Sequence, residues 1–350
     1  MVQSGANAGG GRRPRIPTFE VSYSGADIRE YVEKIEVIEE LEGNSDSVTM
    51  TVNNYDLRWY NEWRPYLGDI VTVSLGYRGE AFTSPVDYEV DEPTFKIAPD
   101  VMDLKGMATP ITGSLRQRYS NAFEQWSLAE LAAYVAEKHG LELVGTVPEI
   151  LFDRVTQKNE QDLAWLRKLA LKYGVIFKVE SCERLVFATE AELEARAAVY
   201  FVSRKMLSPD ASTSFKLQST DTYRMARSDY KHPKTNEWMF LEEVTTNPEV
   251  RTDDTLRVTG ERNENEEQIA LRTAEALRKA NSTIVEGTIN VEGEVYWRAG
   301  LNIELLSDRD EFGPLIGGKH QIRRVRHTLV PEGGMKQGWR TELETRKIFE

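Results

Sequence analysis

Few residues of this chain have the types and spacing from which a reactive centre is built. Its histidines are His139, His232, His320 and His327, and its single thiol is Cys182. A nucleophilic thiol needs a base such as imidazole within hydrogen-bond reach. No histidine lies near Cys182 in sequence, so a structural or exposed thiol is expected there. Zinc needs three or four His, Cys or carboxylate ligands converging on one point. His139 ends a helix-like run, where a cationic imidazole suits the negative end of the helix dipole. His320 and His327 stand seven apart in one alternating stretch, and a period of two puts them on opposite faces of a strand. His232 precedes Pro233 in a polar loop with no carboxylate or thiol at ligand spacing. The residues "LIGGKH" at 315–320 have the glycines of a phosphate loop without its spacing or following helix, and a hairpin turn is expected. A Gly-x-Ser-x-Gly elbow is missing. Carboxylates are abundant enough to leave a glycosidase-type acid pair open. Trp59 and Trp63, four apart in "NYDLRWYNEW", could belong to a sugar-binding platform, although core packing is the commoner use of Trp. No catalytic, cofactor-binding or metal-ligating residue is assigned, and neither enzymatic activity nor a cofactor is expected.

Composition narrows the classes further. The formal charge of −13 over 350 residues disfavours a nucleic-acid-collecting surface. Arg12, Arg13 and Arg15 lie in a Gly-rich arm, expected to be a flexible, solubilising tail or a contact for an acidic partner. One cysteine excludes an intrachain disulfide. No apolar run approaches the roughly 18–20 residues that cross a bilayer, so no membrane insertion is expected. The first residues lack the apolar core of a signal peptide, so export by that route is not expected either.

The elements follow from periodicity. "SVTMTV" alternates Val48, Met50 and Val52 with Ser47, Thr49 and Thr51, and "DIVTVSLGY" continues in that style. "YVEKIEVIEELE" fits a helix or a strand, and its β-branched content favours the strand. At Ser127 the pattern changes. "SLAELAAYVAEKHG" opens with the capping pair Ser127 and Glu130 and stops at Gly140, with Leu128, Leu131, Ala132 and Val135 on one face. A strand "LELVGTV" follows. In "NEQDLAWLRKLALKYG", Asn159 is the expected cap with Asp162 three residues on; Leu163, Leu166, Leu169, Ala170 and Tyr173 form the apolar stripe; Gly174 ends the helix. "VIFKV" and "RLVFAT" then make a hairpin around Ser181–Arg184. From about residue 200 the pattern is β again. One helix interrupts it, "NENEEQIALRTAEALRKAN", with Glu264, Glu266 and Glu267 at its start and Arg278 and Lys279 at its end, in the order that suits the dipole. "TIVEGTINVEG", "LNIELL", "HQIRRVRHTLV" and "WRTELETRK" supply the closing strands. "YLGDIVTVSLGY" and "WRAGLNIELLSD" echo each other, an aromatic and a Gly before an alternating strand, which hints at two related β domains.

Taken in order, "LRQRYSNAFEQWSLAELAAYVAEKHGLELV", "VTQKNEQDLAWLRKLALKYGVIFKVESCERLVF", "AEALRKAN", "WRAGLNIEL", "HQIRRVRHTL" and "GWRTELETRK" resemble the phage late control protein D family, the hub proteins of contractile tails and baseplates. The resemblance spans roughly residues 20–348; Gln161 stands where the family often has Ser. It implies an α+β, mainly β fold: a flexible arm (1–17), a first β-barrel-like tube domain (18–118), an α/β region (119–198), and a second tube domain with one helix (199–350). It also implies a structural protein of the virion tail baseplate, assembled in the host bacterial cytoplasm. The partners implied are two further copies in a homotrimer, a central spike protein, a tail tube protein or distal tube initiator, other baseplate proteins, and DNA passing through the lumen without specific binding. The central helix–strand unit would then be a rigid spacer. An acidic lumen that repels DNA is one expected use of the negative charge; a soluble outer surface is the other. A cell-wall-degrading or glycan-binding tail protein is the alternative reading.

Overall fold

The computed structural model describes residues 15–42, 45–109, 114–231, 237–259, 264–333 and 337–349. His232, Arg12 and Arg13 lie outside them. Alternation of apolar and polar residues builds the first β region: β1 (Pro17–Tyr23), β2 (Ala26–Asp27), β3 (Val32–Glu40), β4 (Ser47–Asn53), β5 (Ile70–Tyr77), β6 (Val86–Lys96) and β7 (Val101–Met107). Val48, Met50 and Val52 are buried, as their period of two requires. The ambiguous "YVEKIEVIEELE" is a strand. A bulge between Val32 and Lys34 shifts its parity, so Val32 and Ile35 both reach the core. Trp59 is fully buried in the β4–β5 connection, where Tyr23, Tyr31 and Trp63 pack edge-on against it. These rings serve as core.

The central region comprises β8 (Arg118–Ser127), α1 (Leu128–His139), β9 (Glu142–Gly145), β10 (Leu151–Gln161), α2 (Asp162–Leu171), β11 (Val175–Glu180), β12 (Arg184–Thr189) and α3 (Glu190–Ala195). Ser127 Oγ accepts from the Glu130 amide and the Glu130 carboxylate accepts from the Ser127 amide, while Gly140 takes the left-handed conformation at φ +67°. Leu128, Leu131, Ala132 and Val135 meet Leu166, Leu169, Ala170 and Tyr173 in one core. Two expectations change here. Asn159 does not cap α2: β10 runs on to Gln161, and Asn159 sits at a bulge with φ +50°, its amide held by Ser120 Oγ at 3.1 Å. Leu163 is only partly buried, and the inward position falls to Trp165, which stacks on Phe123 at 5.4 Å.

The last region holds β13 (Tyr200–Val202), β14 (Ser214–Leu217), β15 (Met225–Lys231), β16 (Trp238–Val244), β17 (Thr255–Thr259), α4 (Glu266–Asn281), β18 (Val285–Glu292), β19 (Asn302–Leu305), α5 (Gly313–Ile316), β20 (Gly318–Val330) and β21 (Gly338–Lys347). Strands β16, β15 and β17 form a separate small sheet against α4. "LIGGKH" spans the end of the single-turn α5 and the start of β20, inside the β19–β20 connection.

The two β regions share one strand order. In the first it is β3–β4–β7–β6–β5–β1; in the last it is β14–β18–β21–β20–β19–β13. The echo seen in the sequence marks equivalent joints. Gly68 and Gly300 both adopt φ near +88°, at +89° and +87°. Their amides donate to Val90 O and Ile322 O, and the Val90 and Ile322 amides donate back to Asp69 O and Leu301 O. A bulge follows each of these acceptors, in β6 after Val90 and in β20 after Ile322. The two halves are also fused: β3 pairs with β20 from Ile35↔Leu329 to Glu40↔Arg324, giving one 13-stranded sheet.

Candidate functional site

The β20 bulge decides where two of the histidines go. The extra residue at Arg323 flips the strand's parity, so His320 and His327 both turn into the interior rather than to opposite faces. His327 Nδ1 accepts from Trp339 Nε1 at 3.2 Å and lies 2.8 Å from Thr341 Oγ1. Indole N–H only donates, so this nitrogen is unprotonated. Burial pushes His327 down to about 3 and His320 to about 4. Both are neutral core residues, poor proton shuttles near neutral pH. Cys182 occupies the β11–β12 turn, where burial pushes its thiol up to about 12. A thiol held protonated is inert. Its role is positional: the Cys182 amide donates to Ala108 O at 3.1 Å, docking the hairpin on the end of β7.

What the structure brings together is a set of ion clusters where the central region meets its neighbours. Glu190, the first residue of α3, is buried among three arginines. Arg346 reaches it at 2.5 Å, Arg278 at 2.7 Å and Arg323 at 3.3 Å. Burial alone would raise this carboxyl, but Arg323, Arg346 and Arg278 outweigh it and hold it at about 2. Arg278 also binds Glu194 and Glu275, and Arg323 also binds Glu42. One carboxylate of the central region is thus gripped by α4, β20 and β21. On the other side, Lys178 of β11 pairs with Asp46 at 3.0 Å, beside the fused sheet. Within the region, Asp162 receives Lys138 at 2.7 Å, His139 at 2.8 Å and Gln157 at 2.8 Å. Burial opposes its ionisation, yet these donors keep the carboxyl below its usual range. His139 therefore clamps the end of α1 to the start of α2. Arg15 belongs to no solvated tail: its guanidinium lies 3.7 Å from the Tyr77 ring centroid and binds Glu80 and Glu294 at 2.7 and 3.0 Å.

The solvent face of the fused sheet carries a second ordered array. Arg324 lies between Glu40 at 3.0 Å and Glu344 at 3.2 Å, and Arg326 lies between Glu36 at 3.9 Å and Glu342 at 3.2 Å. Arg324 and Arg326 are each flanked by two carboxylates on adjacent strands, and Glu36 also holds Lys34 at 3.2 Å, so the cations of this stripe are matched by carboxylates. Sequence patterning marks these positions only as outward-facing; cross-strand register makes them a stripe.

The arrangement is one of ion clusters that clamp the central region to its neighbours. No family model matches the chain. It is 24% identical over 133 residues, 37% of its length, to the probable baseplate hub protein of Escherichia phage 186, covering 34% of that protein. It is 26% identical over 112 residues, 31% of its length, to the probable baseplate hub protein of Escherichia phage P2, covering 29% of it. These matches span about a third of the curated relatives. Over nearly the whole chain, the fold is similar to the 43 kDa tail protein of prophage MuSo2 from Shewanella oneidensis, with TM-score 0.69 at 13% identity, covering 94% of this chain and 98% of that one. It is likewise similar to a tail protein of Neisseria meningitidis, with TM-score 0.66 at 14% identity, covering 95% and 97%. An E. coli type VI secretion component gives 0.53 at 9% identity, covering 95% of this chain and 77% of its own. The chain therefore has the mainly β, α+β fold of phage tail proteins, and the resemblance to tail and baseplate hub proteins read from its sequence is borne out.

Proposed function

We propose that the chain is a structural hub of a tail baseplate, in a phage or a tail-derived injection machine, and not an enzyme. On this reading three copies form a homotrimeric ring that joins a sixfold tail tube to a threefold central spike. The observation that carries it is the repeated strand order, each copy with its glycine joint and bulge. A chain with two alike sheets offers two alike surfaces; three chains offer six to a tube yet remain threefold towards a spike. We take residues 18–118 and 199–350 as the two tube domains, 119–198 as the clamped spacer between them, and 1–17 as an arm. The other partners are a tube protein or distal tube initiator and neighbouring baseplate proteins. Assembly takes place in the host cytoplasm and the product resides in the virion tail.

The seam bearing Arg324 and Arg326 is our candidate for the wall of the DNA or effector channel. Each arginine is already neutralised by flanking glutamates, so passing phosphates find no fixed cation to displace counterions for. Reconstruction of a particle containing the chain tests both ideas. Three copies with six β units around the axis, and the seam facing the lumen, are expected. Dimers, or a ring built from one β unit per chain, would overturn the assembly; a lumen wall richer in Lys and Arg than in Asp and Glu would overturn the channel.

A further inference from the structure

A groove of about 500 Å³ lies between α2 and the end of α4, lined by Ala164, Arg167, Lys168, Leu171, Lys172 and Lys279. Four cations meeting in a chain of net charge −13 is already against the average. Three have an ordinary explanation: Lys168 lies in the last turn of α2, Lys172 just beyond it, and Lys279 in the last turn of α4, where cations offset the dipole. Lys168 also pairs with Glu160 at 3.0 Å. Arg167 is different. Its Nε is buried without a hydrogen-bond acceptor, and no carboxylate among the described residues pairs with it. Burial alone lowers its pKa. Among the described residues its compensation is the Phe177 ring, 5.8 Å away, at the outer limit of a cation–π contact. An Nε–H buried without an acceptor is unfavourable, and the guanidinium's fork of N–H donors matches a carboxylate in two-point fashion.

We infer that this groove receives an acidic peptide segment of a partner protein, a carboxylate seating on Arg167 and a neighbouring apolar side chain on Leu171 and Ala164. The inference goes beyond the hub reading and stands whether or not the chain forms a ring. Carboxylate is favoured over phosphate by the groove's composition. α4 contributes its C-terminal end and α2 a side face of side chains rather than a fan of free amides, and aliphatic surface lies beside the charge.

The test uses the intact chain and a short fluorescein-labelled peptide of alternating Glu and Leu. Saturable binding at low salt, weakened at high salt, is expected. Arg167→Gln should weaken it about tenfold or more, without lowering the thermal midpoint. Ala164→Glu places a carboxylate three residues before Arg167; it should block the peptide and raise the midpoint. Four results would overturn the proposal. They are no saturable binding by the parent chain, undiminished binding by Arg167→Gln, a lowered midpoint in that variant, or stronger competition from duplex DNA than from unlabelled peptide.

Discussion

Asp162→Asn would leave Lys138 and His139 facing a neutral amide at the joint between α1 and α2. The Asp162 side chain is only 2% exposed, whereas Lys138 at 22% can turn partly to water. The His139 side chain is 1% exposed, so its contact with Asp162 is fully enclosed; we expect a loss of about 1–3 kcal/mol in urea denaturation, and an unchanged midpoint would mean the clamp is idle. Acid should act on three other groups in one direction. His320 and His327 have folded pKa values of about 4 and 3, below the ordinary 6.5, so the unfolded chain takes up their protons first as pH falls. Glu190, held at about 2 instead of 4.5, contributes stability that is present above pH 4.5 and lost on the way down to 2. These groups pull the thermal midpoint down below pH 6.5 and more steeply below 4.5, against the opposite pull of Glu39, Glu40, Asp46 and Glu275, whose carboxyls burial raises. A midpoint that rises as pH falls from 6.5 to 4.5 would contradict the buried, neutral histidines. The sequence placed His139 at a helix end as a partner for the dipole; the structure adds the clamp to Asp162, which was not legible because Asp162 is twenty-three residues away. Alternation placed His320 and His327 on opposite faces because one inserted residue in β20 resets the count, and a bulge leaves no mark in a period-two pattern.

The helices were more legible than the strands. Ser127 and Glu130, then Gly140, delimit α1 by local chemistry that needs no tertiary context, and Ser127→Ala should cost about 1 kcal/mol of stability. Leu166 of α2 is fully buried in the core that α2 shares with α1 and the β11–β12 hairpin. Leu166→Ala should cost about 2–5 kcal/mol through the cavity it leaves. Loss of assembly with no change in thermal midpoint would instead make that face a docking groove. Alternation exposed β4, β5 and β18. It did not expose β16, whose outer residues Trp238, Phe240 and Val244 are exposed and blur the inside–outside contrast. Asn159 misled for a related reason: Asn favours caps and also tolerates the left-handed conformation of a bulge, and the sequence alone does not choose between them.

At the scale of the molecule, the echo around Gly68 and Gly300 was the visible trace of a repeated sheet; the pairing of β3 with β20 was invisible, since no local signal ties strands at opposite ends of a chain. The seam invites a direct test of the channel reading. Glu36→Lys with Glu342→Lys would leave Arg326 without its flanking carboxylates. The double variant should fold normally and gain salt-sensitive DNA binding that the parent lacks, measured by electrophoretic mobility shift, and particles carrying it should eject DNA more slowly. Equal DNA affinity in parent and variant would detach the stripe from the channel. The same pairing also bears on biosynthesis. Ile35 and Leu329, partners in the seam, lie roughly 290 residues apart, and ribosomes add about 5–20 residues per second. One edge of β3 therefore waits on the order of 15–60 s for its neighbour to be made, its backbone N–H and C=O groups open to nearby nascent chains. Premature termination anywhere before β20 should yield insoluble fragments, and the nascent first sheet is where a holding chaperone would be found at work.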